Sequence, residues 1–169
     1  MTTTPYERCN DTLDLEAITA SLVVDLGSSG IGSSAGTQSG TDTLSGIENV
    51  KGGSGNDTII ASNSVNDLDG GGGDDTFVFK TAAAADGDTI EGFQPGDMID
   101  LSPLYASLNL GIPSSDFAIV ANFTAAGQLK LHVVGEDTII EGNTDNDHSD
   151  VDFSIKIAGR TNLTSSDFA

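Results

Sequence analysis

Two nine-residue segments, 18 residues apart, constrain this chain more than any other feature. Gly52-Gly53-Ser54-Gly55-Asn56-Asp57-Thr58-Ile59-Ile60 and Gly70-Gly71-Gly72-Gly73-Asp74-Asp75-Thr76-Phe77-Val78 both read Gly-Gly-x-Gly-x-Asp-x-apolar-x. Between them, residues 61–69 keep the register with small residues in place of glycine, Asn66 in place of the aspartate and Leu68 at the apolar position. The preceding nine, 43–51, keep part of it with Gly46, Glu48 and Val50. Glycine supplies the positive φ of a tight turn without steric cost. The three residues after each turn suit a short strand with its middle side chain pointing inward. Val50, Ile59, Leu68 and Phe77 all hold that position.

Strand starts recur outside the block. Asp-Thr followed by an apolar residue occurs at Asp11, Asp42, Asp57, Asp75, Asp88 and Asp137. The aspartate suits a turn, and the threonine with its neighbour suits a strand. Leu22 to Leu26 reads as a lead-in strand, and residues 27–40, rich in Gly, Ser and Thr, as a loop or loose coil. Residues 82–85 suit a short helical turn. Further on, Leu129, Leu131 and Val133 alternate with Lys130 and His132, and Phe153, Ile155 and Ile157 with Ser154 and Lys156. Such alternation marks half-buried antiparallel strands. The chain is thus expected to be all-β, with lead-in strands over 1–51, repeats over 52–79 and an antiparallel unit over 80–169.

The charge is extreme: 26 acids face 6 bases, a formal net charge of −20. Nucleic acid is excluded as a partner, because phosphate binding needs clustered Lys and Arg, and an anionic membrane surface is disfavoured for the same reason. No run reaches the roughly 18 apolar residues of a membrane-spanning helix, so no membrane insertion is expected. Residues 1–10 are polar and carry no signal-peptide core. The single Cys9 has no disulfide partner. Carboxylates in this number, on a chain with strand-like apolar runs, read as cation ligands.

The nonapeptides resemble the RTX, or hemolysin-type, calcium-binding repeats. The resemblance implies a right-handed parallel β-roll in which two nines make one coil, so that turns 18 residues apart stack on one edge. Parallel strands lie about 4.8 Å apart, and calcium takes oxygen ligands at roughly 2.3–2.6 Å, so one ion fits between stacked turns. The expected metal site is Gly52, Gly53, Ser54, Gly55 and Asp57 with Gly70, Gly71, Gly72, Gly73 and Asp75; the other edge offers Glu48 and Asn66.

The approach Asp42-Thr43-Leu44-Ser45-Gly46-Ile47-Glu48-Asn49-Val50, the stretch Gly87 to Ser102, Thr138-Ile139-Ile140-Glu141-Gly142 and the tail Leu163 to Ala169 resemble the C-terminal domain of serralysin-type secreted proteins. That resemblance implies a β-roll packed on a β-sandwich cap, extracellular localisation, and a type I (ABC transporter) secretion apparatus as partner, reading an uncleaved C-terminal signal. Protease chemistry does not carry over, because no His-Glu-x-x-His motif is present. Among the two histidines, His132 is expected on the outward face of a strand. No nucleophile elbow, P-loop or dinucleotide fingerprint exists, so the chain is expected not to be an enzyme. Asn143 to Asp152 is an acidic loop resembling a calcium loop without its turn glycine; it reads as a solvated loop or a weak cation site. An alternative function is that of a polysaccharide (polyuronate)-binding accessory, or the tail of a larger secreted enzyme.

Overall fold

A computed structural model describes residues 10–108, 118–145, 147 and 150–169; Cys9 and His148 lie outside them. The first half is built from β1 (Thr12–Asp14), β2 (Leu22–Asp25), β3 (Ile31–Gly36), β4 (Gly40–Ser45), β5 (Asn49–Lys51), β6 (Thr58–Ile60), β7 (Asp67–Asp69) and β8 (Thr76–Val78). A 3-10 turn at Ala82–Ala84 follows, then β9 (Asp88–Glu91), β10 (Met98–Asp100) and helix α1 (Ser102–Leu108). The remainder holds β11 (Ala118–Ile119), β12 (Gln128–Val134), β13 (Asp137–Asn143) and β14 (Phe153–Ile157).

Successive short strands alternate between two sheets. β1, β5, β7 and β9 are parallel neighbours in the first, and β2, β6, β8 and β10 in the second. The register places Leu13, Val50, Leu68 and Ile90 in one row and Val24, Ile59, Phe77 and Ile99 in the other. Both rows belong to one core, in which Ile59, Leu68, Phe77, Ile90 and Ile99 are fully buried. Burying one such side chain is worth roughly 1.5–3 kcal/mol. This row replaces the thick core that a lean apolar content cannot build.

The parallel ladders run from Thr12 to Asp100, on past residue 80. Coils within the repeats are 18 residues long, and the two that follow are 22, as the Asn66–Asp88 and Asp75–Asp97 hydrogen bonds show. The extra residues form the 3-10 turn between β8 and β9, capped by the Thr81 hydroxyl, which accepts from the Ala84 amide.

Three elements differ from the sequence reading. Residues 27–40, expected as a loop, hold β3 and the start of β4, an antiparallel hairpin that extends the second sheet from β2. Its Gly, Ser and Thr residues pair through the backbone and present no apolar face. Gly32 is required there: a Cβ would lie 1.9 Å from the Asp25 carbonyl oxygen. Helix α1, which buries Leu104 and Tyr105, was not anticipated. Finally, the antiparallel strands β12–β14 do not form a separate sandwich. β14 pairs parallel with β9, so they continue the first sheet into a single eight-stranded one. The tail returns to the coils, where Phe168 bridges to Ile99 at the outer edge of β10 and is buried.

Candidate metal centre

The two glycine-rich turns sit directly on one another. The Gly72 amide donates to the Gly53 carbonyl at 2.8 Å, the Gly52 amide to the Asp69 carbonyl at 2.7 Å, and the Asp74 amide to Asn56 Oδ1 at 3.1 Å. Contact is so close that side chains are excluded. A Cβ on Gly71 (φ +87°) would stand 2.0 Å from the Gly53 oxygen, and one on Gly52 would stand 2.2 Å from the Gly70 oxygen. The glycines therefore bring the carbonyl oxygens of Gly53, Gly55 and Gly70 to the surface where the turns meet.

Against these carbonyls runs a column of buried aspartates. Asp57 accepts from the Leu22 amide through Oδ1 (2.9 Å) and from its own turn's Gly53 amide through Oδ2 (3.1 Å). Asp75 Oδ1 accepts from the Asp57 amide at 2.8 Å. Asp97 repeats the pattern one coil later, accepting from the Asp75 amide at 3.0 Å and from Gln94 at 2.8 Å. Each carboxylate thus clamps the coil before it. Asp75 Oδ2 breaks the series, being buried without a hydrogen-bond partner, and it lies 2.2 Å from where a Gly70 Cβ would be. An uncompensated buried carboxylate oxygen is costly. Burial accordingly raises the Asp75 carboxyl to about 7, against the lowering effect of the Asp57 amide, while the charges of Asp97, Asp57 and Asp69 add to the rise. Burial likewise raises Asp97.

All ten residues expected at the site meet here: Gly52, Gly53, Ser54, Gly55 and Asp57 in one turn, Gly70, Gly71, Gly72, Gly73 and Asp75 in the next. Ser54 is at the exposed rim. The donors are all hard oxygens, and one buried carboxylate oxygen lacks a partner, so the set fits calcium. Two participants were missed. Asp97 and Gln94, whose side-chain amide donates to the Gly71 carbonyl at 2.9 Å, lie in a third stacked turn, Gly92-Phe93-Gln94-Pro95-Gly96-Asp97. Its glycines and aspartate carried the signal, but the 22-residue coil puts them out of step with the 18-residue period.

The opposite edge carries Glu48, Asn66 and Asp88. Glu48 accepts from the Asp11 amide at 3.1 Å on an exposed surface. Asn66 closes on its own turn, accepting from the Ser62 amide at 2.8 Å. Asp88 was also missed; its Oδ1 accepts from the Asn66 amide at 2.8 Å, Oδ2 is buried without a partner, and burial raises the carboxyl to about 8.

Over residues 7–169 the sequence matches the family described as Peptidase M10 serralysin C terminal. The chain belongs to that family. The RTX-type reading of its repeats is thereby borne out. Among solved structures this serralysin C-terminal domain is similar to the AlgE6R3 subunit of the Azotobacter vinelandii mannuronan C5-epimerase. Identity is 19%, the TM-score is 0.52, and the match covers 98% of this chain and 82% of that one. This likeness is one of fold. The AlgE6R2 subunit of the same epimerase aligns with a TM-score of 0.46 at 18% identity, covering 96% of this chain and 92% of that one. No curated protein matches the sequence.

Proposed function

We propose that this serralysin C-terminal domain is a calcium-binding RTX module whose folding is coupled to the ion and which is exported by a type I system. The supporting observation is the unpartnered, buried Asp75 Oδ2 against Gly70 of its own turn, on a carboxylate whose other oxygen accepts from the Asp57 amide. Asp57, Asp75 and the carbonyls of Gly53, Gly55 and Gly70 are the groups that would hold the ion. Calcium there supplies the positive charge that a stack of buried carboxylates lacks.

Calorimetric calcium titration of Asp57→Asn, Asp75→Asn and the double variant tests the shared site. Each single change should weaken binding, and the double loss should fall well short of the sum, because residues holding one ion are coupled. Additive losses would mean that the two aspartates do not share an ion.

Export follows from the same coupling. A cytosol poor in calcium leaves the coils unfolded and able to thread a channel, while calcium outside stabilises them by about 2.7 kcal/mol at a hundredfold excess over Kd. Deleting the last 50 or so residues should abolish secretion in a host with a type I exporter; full yield in the medium would overturn the export reading. The domain is proposed to be non-enzymatic. A polyuronate-binding role is suggested by the mannuronan epimerase whose AlgE6R3 subunit shares the fold, but four of the five bases among the described residues are already engaged. Lys51, Lys80, Lys130 and Arg160 pair with Glu16, Asp25, Glu141 and Asp167.

A further inference from the structure

The loop between β13 and β14 lies outside the stacked turns, and its chemistry is unexplained by them. Asp145, Asp150 and Asp152 each turn a carboxylate oxygen to a common point, all within 4.8 Å of one another. Oxygens on opposite sides of one calcium ion are about 5 Å apart, so the three fit one coordination sphere. Clustered surface acids are common and carry nothing alone. The decisive group is Asn143, the last residue of β13 and fully buried. Its Nδ2 donates to the Asp147 carbonyl at 2.6 Å, which ties the amide head to the acidic loop. Its Oδ1 is buried with no hydrogen-bond partner. A buried amide oxygen left without a donor costs free energy, and a cation is what would satisfy it in a loop of carboxylates.

The loop's other bonds fix the acids without neutralising them. Asp152 Oδ2 accepts from the Thr144 amide at 2.6 Å and from the Thr144 hydroxyl at 2.8 Å. Asp145 Oδ1 accepts from the Asp147 amide at 2.6 Å. Desolvation, and then the charges of Asp147, Asp152 and Asp145, hold the Asp150 carboxyl above its ordinary value. On the adjoining strand β12, Lys130 is committed to Glu141 at 2.8 Å and to the face of Phe123 at 4.6 Å.

We propose that this loop is a second divalent-cation site, with Asp145, Asp150, Asp152 and Asn143 Oδ1 as ligands and calcium as the ion. The donors are hard oxygens, three from the loop and one from the end of β13. Such a set suits calcium's tolerant geometry better than the strict octahedron of magnesium. The ion would tie the end of β13 to the start of β14. Two exposed carboxylates and a loop-borne frame put the affinity in the range of extracellular modules, roughly 0.1–1 mM.

Calcium chloride titrated into the full chain, followed by amide NMR and calorimetry, tests this in wild type and in Asp145→Asn/Asp150→Asn. Folding on the turn-site ion moves amides throughout the chain, so the number of ions bound decides. The variant should still fold on calcium, with the Gly53 and Asp57 amides at their wild-type positions, and should bind one ion fewer per chain. An unchanged stoichiometry in the variant would overturn the proposal. Loss of the Gly53 and Asp57 response alone would instead count against the stacked-turn site.

Discussion

At the scale of single residues, what matters is which groups have no partner. Asp75 and Asp88 each leave one buried carboxylate oxygen unpaired, and burial lifts them to about 7 and about 8 from an ordinary 3.8. Between those values and 3.8, the folded calcium-free chain holds protons that the unfolded chain has released, so folding is favoured by acid. This contribution is fully present below about pH 4 and is lost as pH rises through 7 and 8. Thermal melts in chelator should therefore show a transition at about pH 5 that is lowered or lost at about pH 8.5. Asp88→Asn should flatten the dependence, which separates it from general relief of the −20 charge. Calcium affinity should move the opposite way, falling as pH drops, because the ion competes with the proton on Asp75. A Tm that rises between pH 5 and 8.5 without calcium would contradict this assignment. Backbone demands are equally local. Gly71→Ala puts a methyl 2.0 Å from the Gly53 oxygen at a positive φ, and should cost roughly 1–3 kcal/mol or more in a denaturant titration with calcium present.

At the scale of elements, stability resides in the inward row of each coil. Phe77→Ala, at a fully buried position in β8, should cost about 3–5 kcal/mol in urea unfolding with calcium present. Val133→Ala, exposed beyond the core on β12, should change stability by no more than about 0.5 kcal/mol. Equal effects would mean that the coils do not form the core described. The same contrast explains what could be read from the sequence. Val50, Ile59, Leu68 and Phe77 were legible because a nine-residue period carries its own register, and Asp57 and Asp75 came with it. Ile90, Ile99 and Asp97 occupy equivalent positions, yet the longer connection after β8 hides their period. The β3–β4 hairpin gave no hydrophobic alternation, since backbone pairing alone holds its Gly and Ser residues. Helix α1 did show its spacing, with Leu101, Leu104, Tyr105 and Leu108 on one side, but seven residues are too few to stand out among strands. The join of β14 to β9 was illegible because a half-buried alternating strand does not say which sheet it extends.

On the scale of the whole molecule, one continuous sheet links the glycine turns to the C-terminal strands, and the tail closes on β10 through Phe168. Among the described residues β14 pairs with β9 and so joins the C-terminal strands to the coils, and ion binding at the turns and folding of the C-terminal half are expected to be cooperative. A chain with 26 acids and 6 bases has strong self-repulsion when compact, and the inward rows are only one residue per strand deep. Calcium is the term that tips this balance. The most direct test is far-UV circular dichroism of the full chain, stripped by chelation and then titrated with calcium. The β-signal should be weak without calcium at about pH 8 and should grow cooperatively with a midpoint at roughly 0.1–1 mM, with Asp75→Asn shifting that midpoint upward. A full β-signal that persists after rigorous chelation, unchanged by calcium in both wild type and variant, would contradict the account.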